Sequence, residues 1–78
     1  MIKQVARLEV ESEVTGNVWK VEVTVGDKVE AEDVIMILES MKMEIPVEAP
    51  VAGRVVEMLV APEDAVEEDA LLAVLESA

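Results

Sequence analysis

Shifting the sequence against itself by 37 positions lays residues 10–41 on residues 47–78 without a gap. Twelve of the 32 pairs are identical, among them Val14/Val51, Gly16/Gly53, Val18/Val55, Asp27/Asp64, Val29/Val66, Leu38/Leu75, Glu39/Glu76 and Ser40/Ser77. The apolar run Val34–Leu38 also falls on Leu71–Leu75. A chain rich in Val and Glu gives some matches by chance. Glycine on glycine and run on run in one register is harder to obtain that way. The 78 residues therefore read as one domain made of two copies of a small unit. Neither copy is large enough to bury its own apolar face, so the copies must pack on each other about a pseudo-two-fold axis.

Each copy reads as strands. Trp19, Val21, Val23 and Val25 alternate with Lys20, Glu22 and Thr24, the period of a half-buried strand. That parity assigns Trp19 to the core. Val56, Met58 and Val60 are the counterpart in the second copy. Gly26-Asp27 and Glu63-Asp64 mark turns, and Val34–Leu38 and Leu71–Leu75 read as buried strands. Ala6, Leu8 and Val10 alternate with polar residues, as do Met43, Ile45, Val47 and Ala49, where Pro46 and Pro50 favour an edge position. Gly16 and Gly53 are expected at equivalent tight turns. The fold class is all-β: a flattened barrel or sandwich of two antiparallel sheets.

Composition narrows the chemistry. The chain has no Cys and no His, which removes disulfides and any Cys/His zinc site. It also removes the side chains most used for nucleophilic and general acid–base work near neutral pH. Eighteen acidic residues against six basic ones give a formal charge of −12. That field repels nucleic acid and anionic membrane surfaces, and steers toward a basic protein face. No apolar run has the length of a transmembrane helix, and a cytoplasmic location is expected. Glu63, Asp64, Glu67, Glu68 and Asp69 lack the spacing of a calcium loop and read as a solvated turn.

The two copies meet at Glu39-Ser40-Met41-Lys42-Met43-Glu44, between two strand patterns. This segment should be a hairpin tip. A two-residue hairpin prefers Asn-Gly or a similar pair, and Met41-Lys42 breaks that rule. Two methionines at an exposed tip also work against solubility. Local rules that fail together mark a candidate functional site. The pseudo-dyad puts this hairpin at one end and both termini near the other, so Lys42 should stand clear of the body. Met43 shares parity with Ile45 and Val47, and could face either the hairpin base or the tip.

Glu39-Ser40-Met41-Lys42-Met43-Glu44 resembles the Met-Lys-Met motif of the biotinyl/lipoyl attachment family, of the biotin carboxyl carrier type. Gly16-Asn17-Val18-Trp19, Val25-Gly26-Asp27-Lys28-Val29 and Ala49-Pro50-Val51-Ala52-Gly53 resemble further segments of that family, and the likeness covers about residues 5–76. Ser40 stands where many members have Ala. Pro62-Glu63-Asp64 lacks the glycine found at Gly26, and no inserted thumb loop can be placed.

The resemblance implies a barrel-sandwich hybrid with the modified lysine on a tight hairpin. It implies that Lys42 carries biotin through an amide bond made by biotin protein ligase. Met41 and Met43 would provide flanking recognition, and Glu39, Ser40 and Glu44 the hairpin context. A lysine amine in water is mostly protonated near neutral pH, so the ligase would supply the deprotonation and an acyl-adenylate electrophile. Attached biotin would move a carboxyl group from a biotin carboxylase site to a carboxyltransferase site. The chain itself would be a non-catalytic, monomeric carrier, either standing alone or part of a longer polypeptide.

Two other classes remain open. Lipoyl domains share the fold and the hairpin lysine but usually show Asp-Lys-Ala at the tip, so lipoate is the alternative cofactor. A cofactor-free interaction module is the other, although such a module has no use for a tip lysine between two methionines. An enzyme is disfavoured by size, by the missing His and Cys, and by the lack of a glycine-rich phosphate loop.

Overall fold

The structure, a computed structural model, describes residues 6–77. All regular elements among them are strands: β1 Ala6–Glu11, β2 Gly16–Val21, β3 Lys28–Val29, β4 Val34–Ser40, β5 Met43–Glu48, β6 Gly53–Met58, β7 Ala65–Val66 and β8 Leu71–Ser77. Each strand of the first four has a counterpart of equal length 37 residues later. The correspondence starts at Ala6 and Met43, four residues before the sequence match begins.

The strands form two four-stranded antiparallel sheets, ordered β1-β8-β6-β3 and β5-β4-β2-β7. Each sheet draws two strands from each copy, and the two orders are equivalent under the repeat. The copies are therefore interlocked rather than stacked, and each completes both sheets of the other. Val18, Ile35, Met36, Leu38, Val55, Leu72 and Leu75 are essentially inaccessible and form the shared core.

The turns repeat as well. Asp27 accepts the Thr24 N–H at 3.0 Å, and its counterpart Asp64 accepts the Ala61 N–H at 2.9 Å. This is the reason those two aspartates are an identical pair. Gly26 has φ of 100°, and Glu63 fills the equivalent place at φ of 77°. The turn geometry is thus kept where the glycine is lost, at a cost of about 1–2 kcal/mol for a side chain in the left-handed region.

Two expectations need correction. Trp19 is 48% exposed and outside the core. The pairing of β2 with β4 shifts between Val18 and Lys20, so Trp19 is the extra residue of a β-bulge. The bulge turns Trp19 outward with Lys20 and returns Val21 to the inner side; Val25 lies beyond the strand and is also exposed. β6 carries the same irregularity between Val55 and Glu57, at the counterpart of Trp19. Gly16 and Gly53, in turn, open strands rather than hold turns. A Cβ on Gly16 would overlap the Glu39 carbonyl oxygen, and one on Gly53 would come within 2.6 Å of the Glu76 carbonyl oxygen. These glycines are needed for close backbone approach.

Candidate functional site

β4 and β5 form the central hairpin, paired from Val34↔Glu48 to Ser40↔Met43 with one register shift between Val34 and Met36 and an unbroken register from Met36 to the tip. Leu38 and Ile45 face each other near the tip and turn inward, which anchors the hairpin to the core. β5 is the edge strand of its sheet, and Pro46 sits there without breaking an interior ladder.

Only Met41 and Lys42 connect the two strands. Their φ values are 52° and 66°, so both central residues are left-handed, the requirement of a type I′ hairpin turn. Neither is a residue that takes this conformation readily, and each costs about 1–2 kcal/mol there. The sheet pairing on both sides imposes it. Met41 is 92% exposed and Met43 64%, so both methionines stand at the tip and Met43 does not fold under the hairpin. Lys42 is exposed, and it takes part in none of the ion pairs found among the described residues.

Glu39 and Glu44 are cross-strand partners just below the tip, both exposed. Ser40 is half-buried, and its hydroxyl donates to the Thr15 carbonyl at 2.8 Å. Sequence reasoning treated Ser40 as context and missed Thr15. The bond ties the last residue of β4 to the segment entering β2, directly beside the Gly16 close approach. The repeat does not copy this bond: the Ser77 hydroxyl faces the Ala6 carbonyl at 3.4 Å, and Ala6 is the counterpart of Met43, not of Thr15.

The arrangement presents one primary amine on a braced two-residue tip, with apolar side chains on each side. Among the described residues, no three Asp or Glu side chains converge as a metal site. An amine so placed is open to an acylating partner: it is exposed, no carboxylate pairs with it among the described residues, and the hairpin beneath it is held by sheet pairing on both sides.

The model of the biotin–lipoyl family, described as biotin-requiring enzyme, matches residues 6–75. The chain belongs to this family. As a biotin/lipoyl domain it is 50% identical over 40 residues to the biotin/lipoyl attachment protein of Bacillus subtilis, an overlap of 51% of this chain and 55% of that protein. Its fold matches the crystal structure of the urea carboxylase of Kluyveromyces lactis with a TM-score of 0.85 and 41% identity, covering 90% of this chain and 6% of that one. It matches a single-chain, multi-domain long-chain acyl-CoA carboxylase with a TM-score of 0.87 and 29% identity, over 92% of this chain and 7% of that one. The matched region is thus about half of the small relative and a minor part of each carboxylase. The chain is a biotin carboxyl carrier-like domain, and biotin is its family's cofactor.

Proposed function

We propose that Lys42 is the attachment point for biotin and that the domain works as a mobile carboxyl carrier without catalytic groups of its own. The observation that carries this reading is the exposed Lys42 amine at the centre of a two-residue turn, held in a left-handed conformation the residue does not favour. In the attachment step, biotin protein ligase presents biotin as an acyl-adenylate. The Lys42 Nζ attacks the acyl carbon, the amide C–N bond forms, and the C–O bond to AMP breaks. AMP leaves with the electron pair, and the amine proton passes to the ligase or to water.

When bound, biotin supplies a ureido ring able to take up and release a carboxyl group. The chain's part is to carry that ring on a long side chain above a rigid tip. Two enzyme sites, a biotin carboxylase and a carboxyltransferase, then meet it at high effective concentration. Met41 and Met43 offer flexible apolar contacts beside the amine. The reading places the carrier in the cytoplasm as a monomer that docks transiently; the absence of cysteine fits that compartment.

The test is intact mass after incubation with biotin, ATP and a purified biotin protein ligase, with Lys42→Arg alongside. A biotinyl increment on the wild type, lost in the variant, supports the assignment. An increment that persists in the variant overturns it. A second reading, lipoylation of the same amine, is favoured by the half-length similarity to a protein named for both attachments. A lipoyl increment with lipoate ligase in the same experiment would establish it.

A further inference from the structure

The two sheets are built from equivalent strands, so what differs between their outer faces is not required by the fold. On the outer face of the first sheet, Val56 is half-buried and Val74 only 7% exposed, with Glu9 and Glu57 paired to Val74 on either side. One pair in from the end of that sheet, Arg7 and Glu76 meet at 3.5 Å. On the sheet that carries Lys42, the places of Val56, Val74 and Glu9 are held by Trp19, Ile37 and Pro46. Ile37 is opposite Pro46 on one side and opposite the Trp19–Lys20 bulge on the other. Trp19 and Pro46 are exposed, and Ile37 is half-buried. Around this apolar strip stand Glu39, Glu44 and Glu48, all exposed. Among the described residues the cation on the face is Lys20, whose Nζ lies 5.7 Å from the centre of the Trp19 ring and 3.8 Å from the Glu22 carboxylate.

We infer that this face, with Trp19 as its anchor and the three glutamates as its rim, is the docking surface for the biotin protein ligase. The ligase would meet it with an apolar recess flanked by lysine or arginine. This inference rests on the attachment reading above. Three observations carry it. The inner face of the β4–β5 hairpin is committed to the core, so an enzyme that holds the hairpin has its outer face and the β5 edge to grip. The rim is negative on a chain of charge −12, which selects a basic partner and speeds encounter. Ile37 lies five residues from Lys42 along the hairpin, about 16 Å at 3.3 Å per residue, inside the footprint of a standard protein interface. The ligase is chosen over a carboxylase because it must hold the bare amine at a reacting carbonyl. A loaded arm reaches further and does not demand a grip so near the tip.

The test is the steady-state kinetics of biotin transfer to the full chain by a purified biotin protein ligase with ATP. Trp19→Ser should raise KM by about tenfold, as loss of an aromatic anchor does, with kcat unchanged. Trp19→Phe should recover most of the loss. Glu48→Lys, at an exposed edge position, should raise KM several-fold at low salt and less at high salt. An unchanged KM in Trp19→Ser and Glu48→Lys overturns the docking surface while leaving attachment intact. A fall in kcat alone also overturns it. A wild-type chain that takes no biotin at all overturns the attachment reading, and this inference with it.

Discussion

Glu39 and Glu44 face each other directly across the hairpin below Lys42, while the same two places in the sister sheet hold Glu76 and Arg7, joined as an ion pair at 3.5 Å. One scaffold thus contains both an opposed like-charge pair and its compensated version. Like charges directly opposite on a sheet are destabilising, and an opposite-charge pair contributes about 0.2–1 kcal/mol. Glu44→Arg should therefore raise stability, by up to about 1 kcal/mol. In a domain of this size, 1 kcal/mol moves Tm by about 4–8 °C. Thermal unfolding at low salt checks it, and an unchanged or lowered Tm would contradict the account. The same change reverses a rim charge, so biotin transfer should slow even as the fold gains.

The second prediction compares two glycines. An added methyl on Gly16 meets the Glu39 carbonyl at the foot of the tip, whereas one on Gly26 meets nothing within 4 Å. Gly16→Ala must push β4 away from β2 and should cost about 1–3 kcal/mol, as overpacking does. Gly26→Ala has only its φ of 100° to contend with. Both should lower stability in denaturant titration. Only Gly16→Ala should also slow biotin labelling measured well below its melting temperature, because only it displaces the hairpin. Equal labelling rates would show that the close approach does not position Lys42.

How far the sequence led depends on which residues are asked. The repeat disclosed the β2/β6 and β4/β8 pairs and the midpoint hairpin, since apolar runs and turn residues recur at one spacing, while β1 and β5 were read from alternation alone, largely outside the repeat. The place of Lys42 at an exposed hairpin tip was legible because Met41-Lys42 lies between two strand patterns, where a turn is demanded. Trp19 was not, because a β-bulge leaves no mark in Val18-Trp19-Lys20, and strict alternation then assigns the wrong face. Gly16 was recognised as special but for the wrong reason: a turn and a close backbone contact both call for a missing Cβ. The Ser40–Thr15 bond was out of reach, since it joins residues 25 apart through packing alone.

The third prediction uses the symmetry of the core. Leu38 and Leu75 are repeat counterparts, 1% and 0% exposed. Each truncation to Ala should cost about 2–5 kcal/mol. Native domains hold only about 5–15 kcal/mol in total, and small ones sit near the bottom of that range. Leu38→Ala and Leu75→Ala should both leave the chain largely unfolded or close to it at 37 °C by circular dichroism. A large loss from one and little from the other would show that the halves do not share one core equally.

The last prediction concerns the tip. Met41 and Lys42 hold φ of 52° and 66°, a geometry that Asn-Gly adopts far more readily. The double substitution Met41→Asn with Lys42→Gly relieves both residues, against the greater freedom glycine gives the unfolded chain. The net gain should be about 1 kcal/mol, seen as a higher denaturant midpoint with an unchanged slope. The variant would be more stable and would have no amine to modify. The native pair thus gives up stability at the tip that displays the Lys42 amine, in keeping with the attachment site proposed there. A variant less stable than the wild type would mean that the methionine and lysine side chains contribute packing at the tip that outweighs their backbone strain.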